Sequence, residues 1–134
     1  MPNFKGIHIG GGKIEGWENI GYKSFTPEFL KYIANETDIF INTSTADAQA
    51  TTIMEYMCYG FPIACTIETG YEYPSIIKLN TNDTKSNVET LTKMLNMDES
   101  ELKKLALQNS ELVRKKHSWK IYVNKVSNFI SLNM

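Results

Sequence analysis

At 134 residues, with 42% apolar residues and a formal net charge of −1, the chain has the size and composition of one globular domain able to bury a core. A pI near 6.1 shows no overall basic excess of the kind that nucleic acid or an anionic membrane attracts. No apolar run approaches the ~18 residues of a membrane span, and the opening MPNFKGIHIGGG lacks the apolar centre and small-residue cleavage site of a secretory signal.

In chain order, residues 5–9 (KGIHI) read as a buried strand running into a tight turn at Gly10, Gly11 and Gly12. Residues 18–24 have weak strand character and then turn. Thr26 suits a helix N-cap and Pro27 the first helical position, with Phe29, Leu30 and Ile33 on one apolar face. Residues 38–42 (DIFIN) predict a buried strand, residues 49–59 a helix that Gly60 ends, and residues 62–66 and 75–79 two more strands. Three helices follow. They span residues 87–95, residues 98–116 with Leu102, Leu105, Leu112 and Val113 inward, and residues 118–132 with a stripe of Trp119, Tyr122, Val126, Phe129 and Ile130. Short apolar strands alternating with amphipathic helices predict an α/β fold, a mainly parallel sheet flanked by helices, in a single domain over residues 1–134. No repeat, linker or low-complexity segment interrupts it. A helix near the C-terminus bears several lysines, with acids mixed into it.

Most motif candidates fall away on spacing. The glycines of IHIGGGKIEG match neither G-x-G-x-x-G nor a P-loop, since Ile14 follows Lys13 where Ser or Thr is needed; they read as a turn leaving a strand. His8 and His117 have no paired ligands nearby, so no metal site is expected. No nucleophile elbow or Cys–His pair occurs. Cys58 and Cys65 sit in apolar surroundings and read as buried free thiols of a reducing compartment. The Asn-x-Ser/Thr triplets at Asn35, Asn42 and Asn82 read as chance, Asn42 closing a predicted buried strand.

One stretch remains, STADAQATTIMEYMCYGFP from Ser44 to Pro62. It follows a strand, and in parallel sheets ligands bind at the carboxyl ends of strands. Free amides at a helix start near Gln49–Thr51 favour an anion such as a phosphate, and the small residues Ala48, Ala50, Thr51 and Thr52 allow close approach. Asp47 stands ahead of those amides, and Glu55 lies one turn past Thr51, where a carboxylate can accept hydrogen bonds from vicinal hydroxyls. The same residues equally suit an Asp N-cap followed by a solvated Glu.

This stretch resembles the signature of retaining GT-B glycosyltransferases of the group 1, family 4 type, roughly Pro-Ser-x-x-Glu-Gly-Phe-Gly-Leu-x-x-x-Glu-Ala-Met-Ala-x-Gly-x-Pro-Val. Ser44, Glu55, Met57, Gly60 and Pro62 are in register, and Asp47 stands where the family has the first acid of its Glu-x7-Glu pair. The flanks agree. IHIGGG is similar to the family's strand ending in Gly-x-Gly, NIGYKSFTPEFLKYIANETDIFINTS to its strand, Gly, helix and strand, and HSWKIYVNKVSNFI to its closing helix. The resemblance covers nearly the whole chain and implies the C-terminal, donor-binding half of the GT-B fold, Rossmann-like, with residues 118–132 as the closing helix.

What the resemblance implies goes residue by residue. Glu55 would hold the ribose hydroxyls of a nucleotide-sugar donor, a UDP- or GDP-sugar. Asp47 would lie by the transferred sugar as the catalytic residue. Gln49, Ala50 and Thr51 would form the segment whose amides bind the diphosphate, with Ser44, Gly10, Gly11 and Gly12 also donor-binding. Tyr22 and Lys23 would flank the base. The reaction would be sugar transfer with retention, the protein stabilising the leaving diphosphate and an oxocarbenium-like centre without an obligatory metal or a covalently bound cofactor. The resemblance further implies a cytoplasmic enzyme of polysaccharide or glycolipid assembly, peripheral to the inner face of the membrane. Its partners would be a nucleotide sugar and an acceptor glycan or glycolipid, and no nucleic acid.

The departures are specific. Asp47 is one methylene shorter than Glu, Ala48-Gln49-Ala50 replace Gly-Phe-Gly, Thr43 replaces Pro, and after strand 62–66 the family's Gly-Gly-x-x-Glu leaves Gly70 and, loosely, Glu72. The chain opens on what is the second strand of the family's domain. The first strand and helix, with their Arg and Lys clamp, and the acceptor domain are thus expected outside this sequence. The expectation is a donor-binding fragment without turnover of its own, with a sheet edge that a second copy would cover as a homodimer. A catalytically inactive binding or interaction module with the same fold is the alternative. A flavodoxin-like regulatory domain would want a strand-end acidic cluster and Lys, which the sequence lacks.

Overall fold

Residues 4–47 and 49–133 are described by a computed structural model, and they build two units, Met1–Asp38 and Ile39–Met134, each with its own parallel sheet. The α/β class with parallel strands and flanking helices is as the apolar pattern predicts. The strands form two sheets rather than one.

In the first unit, β1 (Ile7–Ile9) pairs in parallel with β2 (Glu18–Gly21), and α1 (Pro27–Glu36) follows. Parallel neighbours ordinarily need a crossover of about a dozen residues or more. Here residues 10–17 suffice, because Gly10, Gly12 and Gly16 take φ of 137°, 82° and 77°, values that a side chain resists. Asn19 pins this return: its Oδ1 accepts from the Ile14 amide at 2.8 Å, and its Nδ2 donates to the Ile14 and Trp17 carbonyls. The Trp17 ring lies where a Cβ on Gly6 would be, at 2.1 Å, so that strand start admits no side chain. Thr26 caps α1 through the Phe29 amide with Pro27 at the first position, and Leu30 and Ile33 are its buried face.

The second unit orders β3 (Phe40–Asn42), β4 (Ile63–Thr66) and β5 (Ile76–Leu79) side by side, all parallel. Helix α2 (Thr51–Cys58) makes the crossover from β3 to β4. Helices α3 (Thr84–Leu95), α4 (Glu99–Lys116) and α5 (Trp119–Asn133) follow β5. The central strand β4 is buried along its whole length, as its apolar run requires. Strand β3 is half-buried rather than buried, being an edge of the three-stranded sheet. On one face Ala64 and Leu79 meet Met94 and Leu91 of α3. The aromatic stack of Phe40 on Tyr56, 3.8 Å between centroids, holds α2 to β3, and Phe61 meets Tyr56 edge-on.

Helix ends follow local chemistry. Gly60, at φ 77°, closes α2 in a Schellman motif, with the Gly60 and Phe61 amides donating to the Met57 and Tyr56 carbonyls. Asp83 caps α3, which starts at Thr84 rather than residue 87. Asp98 and Glu101 form a capping box on α4. The expected inner face of α4 holds Val113 buried and Leu102, Leu105 and Leu112 half-buried. Its most deeply buried residue is Asn109, whose Nδ2 donates to the Phe61 carbonyl at 2.9 Å. The predicted stripe on α5 closes nothing: no described residue of that helix is buried. Cys65 is a buried thiol as expected, whereas Cys58, in the last turn of α2, is exposed.

Candidate functional site

Residues 43–47, and then Gln49 and Ala50, follow β3 and run beside residues 66–71, which follow β4; these are the carboxyl ends of neighbouring parallel strands. The two segments are joined step by step. The Thr66 hydroxyl donates to the Ser44 carbonyl, the Asp47 amide to the Glu68 carbonyl at 3.2 Å, and the Tyr71 hydroxyl to the Ala50 carbonyl at 3.0 Å. Gly70, at φ 81°, lets the Gln49 backbone within 3.7 Å of where a Cβ would stand. The Asn42 side chain accepts from the Ser44 amide at 2.9 Å and sets the turn out of β3.

The loop delivers the chain to α2, two residues later than the sequence pattern suggests. Gln49 is not helical: it carries a φ of 117°, while Ala50, at φ −57°, is the N-cap. Ala50 thus avoids the left-handed region that the matching glycine would permit, and the strain falls on Gln49 instead. Ala48 lies outside the described residues. An alanine side chain cannot cap, and α2 has no side-chain cap hydrogen bond among the described residues. This also removes Asp47 as an N-cap: it is exposed, and the loop separates it from the helix start. Glu55 is half-buried, one turn past Thr51. Neither carboxylate receives a hydrogen bond or ion pair from a described residue.

Both acids are felt by buried neighbours. Burial pushes the Tyr56 phenol up to about 12, with the Glu55 charge adding to the effect. Burial likewise pushes Tyr71 up to about 12, with Tyr73 and then Asp47 contributing. The Cys58 thiol is raised by desolvation, against the pull of Arg114, with Glu55 also raising it.

Sequence reasoning missed Glu68. It follows β4, and its Oε1 accepts from the Thr81 hydroxyl at 2.8 Å, while its Oε2 is buried with no hydrogen-bond partner among the described residues. An acid directly after a strand at the ligand-binding end was the available signal, and no spacing rule marks it. Tyr71, which holds the loop through Ala50, was likewise passed over.

The remaining site candidates belong to the first unit. Gly11 and Tyr22 are brought together there: a Cβ on Gly11 would lie 2.6 Å from the Tyr22 hydroxyl. Tyr22 is 86% exposed, and Lys23 is exposed. Gly10 donates its amide to the Gly21 carbonyl at 3.0 Å, which ties the glycine turn to β2. His8 Nδ1 lies 3.0 Å from Asn19 Oδ1, and His117 Nε2 lies 2.7 Å from the Tyr73 hydroxyl in the other unit. Among the described residues no group of three or more His, Cys, Asp or Glu could hold a metal ion, and no helix is long and apolar enough to cross a membrane. Comparison with protein-family models, with curated proteins and with solved structures finds no match to this chain.

Proposed function

We propose that the Ile39–Met134 unit binds a nucleoside diphosphate, as the donor-binding part of a retaining GT-B glycosyltransferase. The observation that carries this reading is Glu55: half-buried, without a hydrogen-bond or ion-pair partner among the described residues, one turn into a helix that no side chain caps among them. The helix start offers N–H donors and a positive dipole end to a diphosphate. From there Glu55 would accept from ribose hydroxyls, and Asp47 and the loop around Gln49 would face the transferred sugar. Transfer itself would need a longer chain that supplies the acceptor glycan or glycolipid site, at the inner face of a membrane. A charged hydrogen bond of this kind contributes roughly 1.5–3 kcal/mol, so Glu55→Ala should weaken nucleoside diphosphate binding roughly 10- to 150-fold. In calorimetry the 2′-deoxy ligand should lose as much on the wild-type chain and nothing further on Glu55→Ala. Additive losses would remove Glu55 from the ribose.

The alternative, a binding module that has lost transfer, is favoured by one observation: Asp47 is exposed and one methylene shorter than the family's Glu. Donor binding without donor hydrolysis or transfer in the longer chain, unchanged by Asp47→Glu, would select it.

A further inference from the structure

Helix α5 is built unlike the rest of its unit. Among its residues Trp119 is 79% exposed, Phe129 69% and Tyr122 59%, and none is buried. At about 100° per residue, Trp119, Tyr122, Val123, Val126, Phe129 and Ile130 fall in one arc about 120° wide. The rest of the circumference carries Asn124, Ser127, Asn128 and Ser131, with Ile121 and Leu132 among them. Lys120 and Lys125 fall on the two flanks of the apolar arc, one on each side.

Charge divides along the chain at the same place. All acids lie at or before Glu111, while Arg114, Lys115, Lys116, Lys120 and Lys125 follow it. Lys115 pairs with Glu111 at 3.4 Å and Lys116 sits over the Tyr73 ring at 5.4 Å; Arg114, Lys120 and Lys125 have no ion pair among the described residues. A second copy of this face would bring lysine flanks against lysine flanks with no acid between them. The combination of a Trp-, Tyr- and Phe-bearing face with lysines at its borders instead matches a helix lying in a lipid interface. There the rings seat at the headgroup level and lysine stems reach outward to phosphate.

We propose that α5 docks the chain on an anionic lipid surface, its Trp119–Phe129 face at the acyl boundary and Lys120 and Lys125 on headgroup phosphates. This does not depend on the nucleotide reading. The test is flotation of the 134-residue chain with vesicles of phosphatidylcholine, alone or mixed with phosphatidylglycerol. Trp119 emission is followed in a Trp17→Phe background. The chain should float with the mixed vesicles, and Trp119 should shift blue. At about 1 kcal/mol per lysine, Lys120→Gln with Lys125→Gln should lower partitioning roughly thirtyfold. Trp119→Ser with Phe129→Ser should abolish flotation while circular dichroism and thermal unfolding stay unchanged, since α5 buries nothing. No flotation with mixed vesicles would overturn the proposal. Equal flotation with phosphatidylcholine alone, or a blue shift without lipid that grows with protein concentration, would overturn it too.

Discussion

Gln49 carries a side chain at a φ of 117°, a conformation that costs a residue with a Cβ about 1–3 kcal/mol. The strain is held by bonds on either side: Asp47 to Glu68 before it, and Ala50 to Tyr71 after it. Gln49→Gly should therefore raise stability by about 1 kcal/mol, read as a higher urea midpoint at unchanged slope; a lower midpoint would mean that the side chain makes contacts worth more than the strain. Tyr71→Phe should cost about 1 kcal/mol, through the lost bond to Ala50. The phenols of Tyr56 and Tyr71 are raised to about 12 from an ordinary 10.0. The neutral form is the one the fold favours, so their contribution is intact below pH ~10 and lost as pH climbs toward ~12. Alkaline unfolding over that window, shifted in Tyr71→Phe, is the expected result. At this scale the sequence was legible where one residue's chemistry decides: Thr26 as a cap, Gly60 as a stop. It was opaque at Gln49, because whether Gln49 or Ala50 takes a positive φ depends on what lies across at Gly70 and Tyr71.

Helix α4 shows what holds elements in place. Its start is written locally, in the Asp98–Glu101 capping box, and Asp98→Ala should lower the melting temperature in thermal unfolding. Its middle is anchored by Asn109, a polar residue on a face where the heptad-like run of leucines alone suggests apolar packing. Its end is His117, bonded to Tyr73 at 2.7 Å. Burial holds this imidazole below its ordinary 6.5, with Lys125 and Lys116 adding to the effect. The neutral form is favoured in the fold, so the contribution is present above pH ~6.5 and lost as pH falls through the lowered value. An NMR titration of the imidazole should show a midpoint below 6.5 that rises toward it in Lys125→Gln. Element identity and order were readable from apolar runs and turn residues. Burial was not: the half-burial of β3 follows from its edge position, and the open face of α5 looks in sequence like any core-facing stripe.

Across the whole chain, a net charge of −1 hides a segregation, with every acid before residue 112 and five cations after it. A composition average therefore gave no hint of an anionic surface as partner. The division into two units was equally hidden, since the strand–helix alternation runs through residue 38 without a linker. What binds at the β3–α2 loop is the central question. The measurement that addresses it most directly is ligand-observed NMR of this chain with UDP, GDP, ADP and CMP, repeated on Glu55→Ala. Saturation transfer to one nucleoside diphosphate is expected, strongest at its ribose protons, and its loss in Glu55→Ala. Binding that survives the substitution, or none to any of the four, would contradict it.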